Sequence, residues 1–222
     1  MNNTERVLGI LYIFFHSALL PMLLVFLFAL FDFDLSGPYG MLVYYTAGFV
    51  LVLAIMHKFL RTSFSDLIDG FWRAIQAMIL GYAFYRVLLW LAILLLSQVM
   101  TGANPNQEAV VADIRADLRV MLIVTAVLAP IVEEAVFRGA LFGTIRQKSR
   151  IAAYVISVLL FSMFHMWSHL LLEFSWEALL VLVQYIPASI ALAWCYERGG
   201  TIWSPILLHS VINLLGALQV AR

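Results

Sequence analysis

Charge is scarce along this chain. Its 222 residues hold 13 basic and 13 acidic side chains, 12% charged in all, where soluble domains carry about 25%. The two signs cancel, which removes the basic field that nucleic-acid binding needs. Cysteine is nearly absent: Cys195 stands alone, so no intrachain disulfide can form, and it reads as a small buried apolar side chain rather than a nucleophile. The chain also lacks an internal repeat, a low-complexity tract, a polar stretch long enough for a soluble domain, and a His-Glu-x-x-His metalloprotease signature. What fills it is apolar, 64% of residues against about 45–50% in soluble domains. These shortages predict a protein integral to a lipid bilayer, with its function inside the membrane or at its edges.

A bilayer-crossing helix takes about 20 mostly apolar residues. Seven runs qualify: 7–31, 39–56, 74–100, 120–145, 151–167, 176–195 and a last one to about 218. The last is expected to start at Ser204-Pro205, read as an N-cap followed by proline at the first helical position. The first run is too long for the apolar core of a secretory signal and reads as a retained helix, kinked at Pro21. Residues 31–40 read as a turn, 57–73 as a polar link and 168–175 as a loop. In the polar segment 101–119, the spacing of Val110, Val111, Ile114 and Leu118 suits a short interfacial helix. The fold expected is an all-α polytopic membrane helix bundle of about seven transmembrane helices. It is expected to form a single integral membrane domain over 1–222. With the N-terminus in the cytoplasm, eight lysines and arginines fall on the cytoplasmic side (Arg6, Lys58, Arg61, Arg73, Arg146, Lys148, Arg150, Arg198) against three outside (Arg115, Arg119, Arg222).

Two adjacent carboxylates and an arginine, Glu133, Glu134 and Arg138, lie inside the fourth run. A charge at the centre of a spanning helix costs roughly 2.5–3.5 kcal/mol, so such residues face the bundle interior and serve a function. Glu134 and Arg138 are four apart and share a face, which makes them a structural brace. Glu133 points about 100° away with no base one turn along, and is the reactive carboxylate. Three further polar groups stand on later spans: His165 on the fifth, His209 and Asn213, four apart, on the last. At about 1.5 Å per residue, their depths suit one cavity opening to the cytoplasm. Glu133, with His165, has the chemistry to activate a water, and His209 and Asn213 the donors for the oxyanion formed when water attacks an amide. Pro130 predicts a bend beside the reactive acid, and Gly139 with Gly143 a close helix approach.

The series Glu133-Glu134-x-x-x-Arg138, then Phe161-x-x-x-His165, then His209-x-x-x-Asn213 resembles the CAAX prenyl endopeptidase and bacteriocin-processing (CPBP, or Abi) family of intramembrane proteases. The resemblance covers roughly 120–218; the first three spans carry no signature of it. It implies a multi-pass bundle with a cavity reachable from cytoplasm and lipid. It also implies water activation by Glu133 with His165, oxyanion stabilisation by His209 and Asn213, and a glutamate-dependent mechanism without a metal cofactor. The partners implied are the lipid bilayer and a membrane-associated peptide or protein substrate, in a bacterial plasma (inner) membrane.

Two other readings stand beside this one. His165 and His169, four apart, could join Glu133 in a three-ligand zinc site, although His169 falls at the expected end of its span. The same scaffold could be a non-catalytic immunity or scaffold protein that holds a partner helix. A transporter using Glu133 as a proton relay is weaker, because the chain lacks inverted halves.

Overall fold

A computed structural model describes residues 1–99, 104–172 and 176–222, without the side chains of 168–172, 177 and 178. Among the described residues all regular structure is helical. Among these residues seven helices are long and apolar enough to cross a membrane: α1 (Asn3–Ala29), α2 (Gly37–Asp69), α3 (Phe71–Leu96), α5 (Leu118–Ile145), α6 (Arg150–Leu172), α7 (Trp176–Gly199) and α8 (Trp203–Val220). The short α4 (Pro105–Ala116) lies between α3 and α5. The expected all-α polytopic bundle is therefore the fold, and the chain is an integral membrane protein.

Helix α5 runs through the middle. Every residue from Val132 to Phe142 is buried, which explains why this helix is apolar all round rather than along one stripe. The outer helices turn large side chains such as Trp72, Trp90, Leu95 and Ile151 outward, the surface a hydrocarbon solvent requires. Tight packing holds α5 to its neighbours. A Cβ on Gly9 of α1 would lie 2.6 Å from the Ala140 methyl carbon, and one on Gly139 would lie 2.7 Å from the Phe59 ring. Gly139 does permit the close approach expected of it.

Three boundaries differ from the sequence reading. The polar link 57–73 is mostly helix: α2 continues to Asp69 past a kink at Met56, where the backbone leaves helical geometry. The buried carboxylate of Glu5 accepts a hydrogen bond from the Phe59 backbone N–H at 2.9 Å, just beyond that kink. The helical backbone of α6 extends to Leu172, through most of the expected loop. Ser204 does not cap α8, which starts one residue earlier; Thr201 Oγ1 accepts from the Trp203 backbone N–H and donates to the Ser63 carbonyl. Pro205 falls in the first turn, where its missing N–H has no helical partner to lose.

Candidate active site

Helix α5 is not a regular α-helix. Two π-helical stretches, Val124–Leu128 and Ala135–Phe142, flank the six α-helical residues Ala129–Glu134 that carry both acids. Proline explains the first stretch. Ala129 N–H bonds back five residues to Val124, so the next carbonyl, Thr125, would take residue 130 as donor. Residue 130 is proline and has no N–H. The Asn213 side-chain amide of α8 supplies the missing donor at 2.7 Å from Thr125 O. The bend expected at Pro130 is thus a π turn, and the orphan carbonyl it creates ties α8 to α5. Span α1 repeats the device: the π stretch Phe15–Leu19 precedes Pro21, and Tyr44 Oη donates to the His16 carbonyl at 2.9 Å.

Glu133 is 3% exposed. Tyr45 of α2 donates its hydroxyl to Glu133 Oε1 at 2.8 Å. Glu133 Oε2 faces His165 Nε2 at 3.8 Å and has no hydrogen-bond partner among the described residues. The other ring nitrogen, His165 Nδ1, sits 2.9 Å from the Phe161 carbonyl. A carbonyl only accepts, so Nδ1 carries the proton. In the neutral ring, Nε2 and Glu133 Oε2 are then two acceptors facing each other. The Tyr185 ring stacks on His165 at 4.6 Å, and its hydroxyl is held by the side-chain amides of Asn104 and Asn106 at 3.0 and 2.9 Å.

The second acid does more than brace an arginine. Glu134 is fully buried, and its Oε1 accepts from Arg138 Nη1 at 3.1 Å and from His209 Nδ1 at 2.9 Å. Arg138, also fully buried, reaches on to the carbonyl and hydroxyl of Ser189 on α7. Its guanidinium lies 4.2 Å above the Phe161 ring. Phe161 therefore serves the site twice: its ring supports Arg138 and its carbonyl orients His165. Because Glu134 holds Nδ1–H of His209, Nε2 is the ring nitrogen of His209 left for a ligand.

Glu133, His165, His209 and Asn213 all line one cavity of about 1140 Å³. On each of the seven spans the lining residues run from near its middle to one end, for instance Tyr82 to Leu96 on α3, Val124 to Glu133 on α5 and His209 to Val220 on α8. That end is the face opposite the N-terminus. The depth count had suited a cavity opening to the cytoplasmic, N-terminal side; it measured distance along helices and could not register which half is filled. The N-terminal half is filled by a cluster that includes Val52, Met56, Phe59, Val136 and Ala140.

Of the residues the sequence singles out, the structure sets Glu133 opposite His165 and joins Glu134 to Arg138 and His209, while Asn213 bonds the Thr125 carbonyl and shares a cavity wall with Glu133, His165 and His209. The sequence reading missed Tyr45, Tyr185, Asn104 and Ser189. Tyr45 had one available signal, since a tyrosine inside an apolar span needs a partner for its hydroxyl. Among the described residues no group of three or more His, Cys, Asp or Glu is placed to hold a metal ion. The His169 side chain, third ligand of the zinc alternative, lies outside the described residues. Arg86, in the third span, is exposed and belongs to the cavity wall.

Comparison with known proteins finds a family likeness over less than half of the chain. Residues 115–215 match the model described as "Type II CAAX prenyl endopeptidase Rce1-like". This segment is Rce1-like. It contains the acidic motif and both histidine motifs, so the resemblance noted in the sequence holds, and at the family level the match is to a membrane protease. The chain is 25% identical over 145 residues to "UPF0177 protein YxdF" of Lactococcus lactis, covering 64% of this chain and 75% of that protein. It is 29% identical over 114 residues to "Putative membrane peptidase YdiL" of Bacillus subtilis, covering 50% and 42%. It is 34% identical over 96 residues to "UPF0177 protein YaiF" of Lactococcus lactis, covering 42% and 37%. The chain thus spans under half the length of the last two. No solved structure matches it. The Rce1-like segment does not contain Tyr45, which comes from the half of the chain that carries no family motif.

Proposed function

We propose that this chain is an intramembrane endopeptidase that hydrolyses a peptide bond of a membrane-associated peptide or C-terminal tail with a water activated by Glu133 and His165. One observation carries the reading. Glu133 Oε2 and His165 Nε2 face each other at 3.8 Å, while Tyr45 and the Phe161 carbonyl hold the other polar atom of each group. Two facing acceptors call for a donor with two hydrogens, and water is the smallest one. Glu133 takes the water proton as the oxygen attacks the scissile carbonyl carbon. His209 Nε2 and the second amide hydrogen of Asn213 donate to the oxyanion. To donate from both ring nitrogens His209 is an imidazolium, and the buried cluster is then neutral: Glu133 and Glu134 against Arg138 and His209. On collapse the C–N bond breaks and Glu133 returns the proton to the leaving nitrogen, giving an amine and a carboxylic acid, which then loses its own proton to solvent.

The chemistry as proposed takes no metal, and the membrane is proposed to be a bacterial plasma membrane, as the Lactococcus and Bacillus relatives suggest. The test is hydrolysis of membrane-anchored peptides by the purified protein in proteoliposomes. Glu133→Gln, nearly isosteric, is expected to lower the rate by about 10²–10⁴-fold, the usual contribution of a general base, while the protein still inserts and folds. Activity is expected to survive o-phenanthroline; loss that zinc restores would favour the Glu133–His165–His169 site instead. Wild-type phenotype from Glu133→Gln would overturn hydrolysis and leave the immunity or scaffold reading.

A further inference from the structure

The cavity has a floor and a single direction. The reactive groups sit near the middle of their spans, and every lining residue lies between there and the face opposite the N-terminus. Towards the N-terminal face the way is shut. Val52 and Met56 of α2 and Ala135 and Ala140 of α5 are fully buried against one another, and Phe59 packs over Gly139. Nearer the surface, Phe142 is fully buried between Tyr154 and Tyr196, and Glu197 ties Arg150 to Arg146. Among the described residues a peptide backbone has no path from that side.

The two faces also differ in charge. The closed face holds Arg6, Lys58, Arg61, Arg73, Arg146, Lys148, Arg150 and Arg198, with the acids Glu5, Asp66, Asp69 and Glu197. The open face holds Asp32, Asp34, Glu108, Asp113 and Asp117, with Arg115, Arg119 and Arg222. Lysine and arginine excess marks the cytoplasmic side of a membrane protein. The closed face is therefore cytoplasmic and the open face extracytoplasmic. At the mouth the chemistry is that of polar amides: Asn104, Asn106 and Gln107 from the start of α4, with Gln184 and Gln219 from α7 and α8. Such groups pair with the main chain of an extended peptide, whose exposed N–H and C=O groups must be satisfied before it descends to mid-membrane depth.

Resting on the peptidase reading, we propose that the substrate is an extracytoplasmic peptide segment: the outward-facing stretch of a membrane-anchored protein, or a tail already translocated. A tail that stays in the cytoplasm, as a prenylated one does, would meet the closed face. The step that supplies the substrate is then export or membrane insertion, and cleavage comes after it.

The access claim can be tested without any substrate. In a Cys195→Ala background, which removes the one native, buried cysteine, single cysteines are placed at exposed Gln107 on the mouth and exposed Lys148 on the closed face. A membrane-impermeant sulfonated maleimide is applied to intact cells and to permeabilised ones. The expected result is that Gln107→Cys labels in intact cells and Lys148→Cys only after permeabilisation; the reverse pattern overturns the proposal. A degenerate quenched-fluorescent peptide library, added outside to right-side-out and to inverted membrane vesicles, supplies the second arm. Glu133-dependent hydrolysis is expected in right-side-out vesicles and not in inverted ones. Glu133-dependent hydrolysis confined to inverted vesicles sinks outward access while upholding the peptidase. The expected labelling, with hydrolysis in neither vesicle or hydrolysis indifferent to Glu133→Gln, upholds outward access while sinking the peptidase.

Discussion

Tyr45 is the residue whose role the motifs conceal. Its hydroxyl makes the sole hydrogen bond to Glu133 among the described residues, at 2.8 Å, and it arrives from α2, outside the Rce1-like segment. Its effect is to fix which carboxylate oxygen is free: Oε1 is engaged, so Oε2 is left to face His165. A hydrogen bond to a charged group is worth roughly 1.5–3 kcal/mol, about 10–100-fold in rate if its loss is felt only in the reacting state. Tyr45→Phe is therefore expected to lower kcat by about that factor with little change in KM, because the ring still fills its place in the cavity wall. Steady-state hydrolysis in proteoliposomes checks it. The neighbouring Tyr44→Phe is the control: Tyr44 donates to the His16 carbonyl rather than to Glu133, so its loss should leave kcat within a few-fold of wild type. Equal losses from the two variants would mean that the tyrosines merely fill space.

At the scale of the helix, the informative unit is Val124–Glu134. Removing the proline gives residue 130 an N–H, and the Thr125 carbonyl then has a backbone donor that competes with Asn213. Pro130→Ala is expected to let the π turn relax towards α-helix. Deleting the extra residue of a π turn rotates the rest of the helix by about one residue step, roughly 100°. Glu133 would swing away from His165, and activity should fall by about 10²-fold or more although an alanine is the better helix former. The check is a pair of measurements on one preparation: hydrolysis, which should collapse, and thermal unfolding in detergent, which should not. This element also marks where the sequence stops being readable. The apolar runs and the positions of Glu133, His165, His209 and Asn213 follow from hydropathy and four-residue spacing, because both are properties of one helix at a time. Spacing on an ideal helix also separated Glu133 from the Glu134–Arg138 face. It could not anticipate the π register, since that depends on α8 offering a donor to Thr125. Nor could it give His209 to Glu134 or Tyr45 to Glu133, because each is a contact between spans whose relative rotation no single-helix period encodes. The end of α2 was misjudged for a related reason: the polar residues after Met56 looked like a link, but their backbone is held by contacts such as Glu5 to Phe59.

Across the whole molecule, the site is shared between two halves of the chain that the family match divides unequally. The half before residue 104 supplies Tyr45, the α3 wall and one side of the closed floor; the half after it supplies the three motifs and the other side. Contact between them is close and continuous. Gly9 lies against Ala140, Phe59 against Gly139, and Gly81 of α3 against Leu208 of α8, where an added Cβ would come within 2.8 Å. In a bilayer, helices insert first and associate afterwards through this kind of small-residue packing. The connecting chain is then dispensable in principle, while the partner helices are not. Residues 1–99 and 104–222, expressed as separate polypeptides in one membrane, are expected to co-purify and to recover Glu133-dependent hydrolysis. The second polypeptide alone, although it holds every motif, should be inactive, because Glu133 loses its tyrosine and the cavity loses one side of its floor. Gly81→Leu should abolish recovery by wedging α3 from α8, and co-purification measures that directly. Full activity from 104–222 alone would show that the motifs suffice and that the first three spans serve something other than this site.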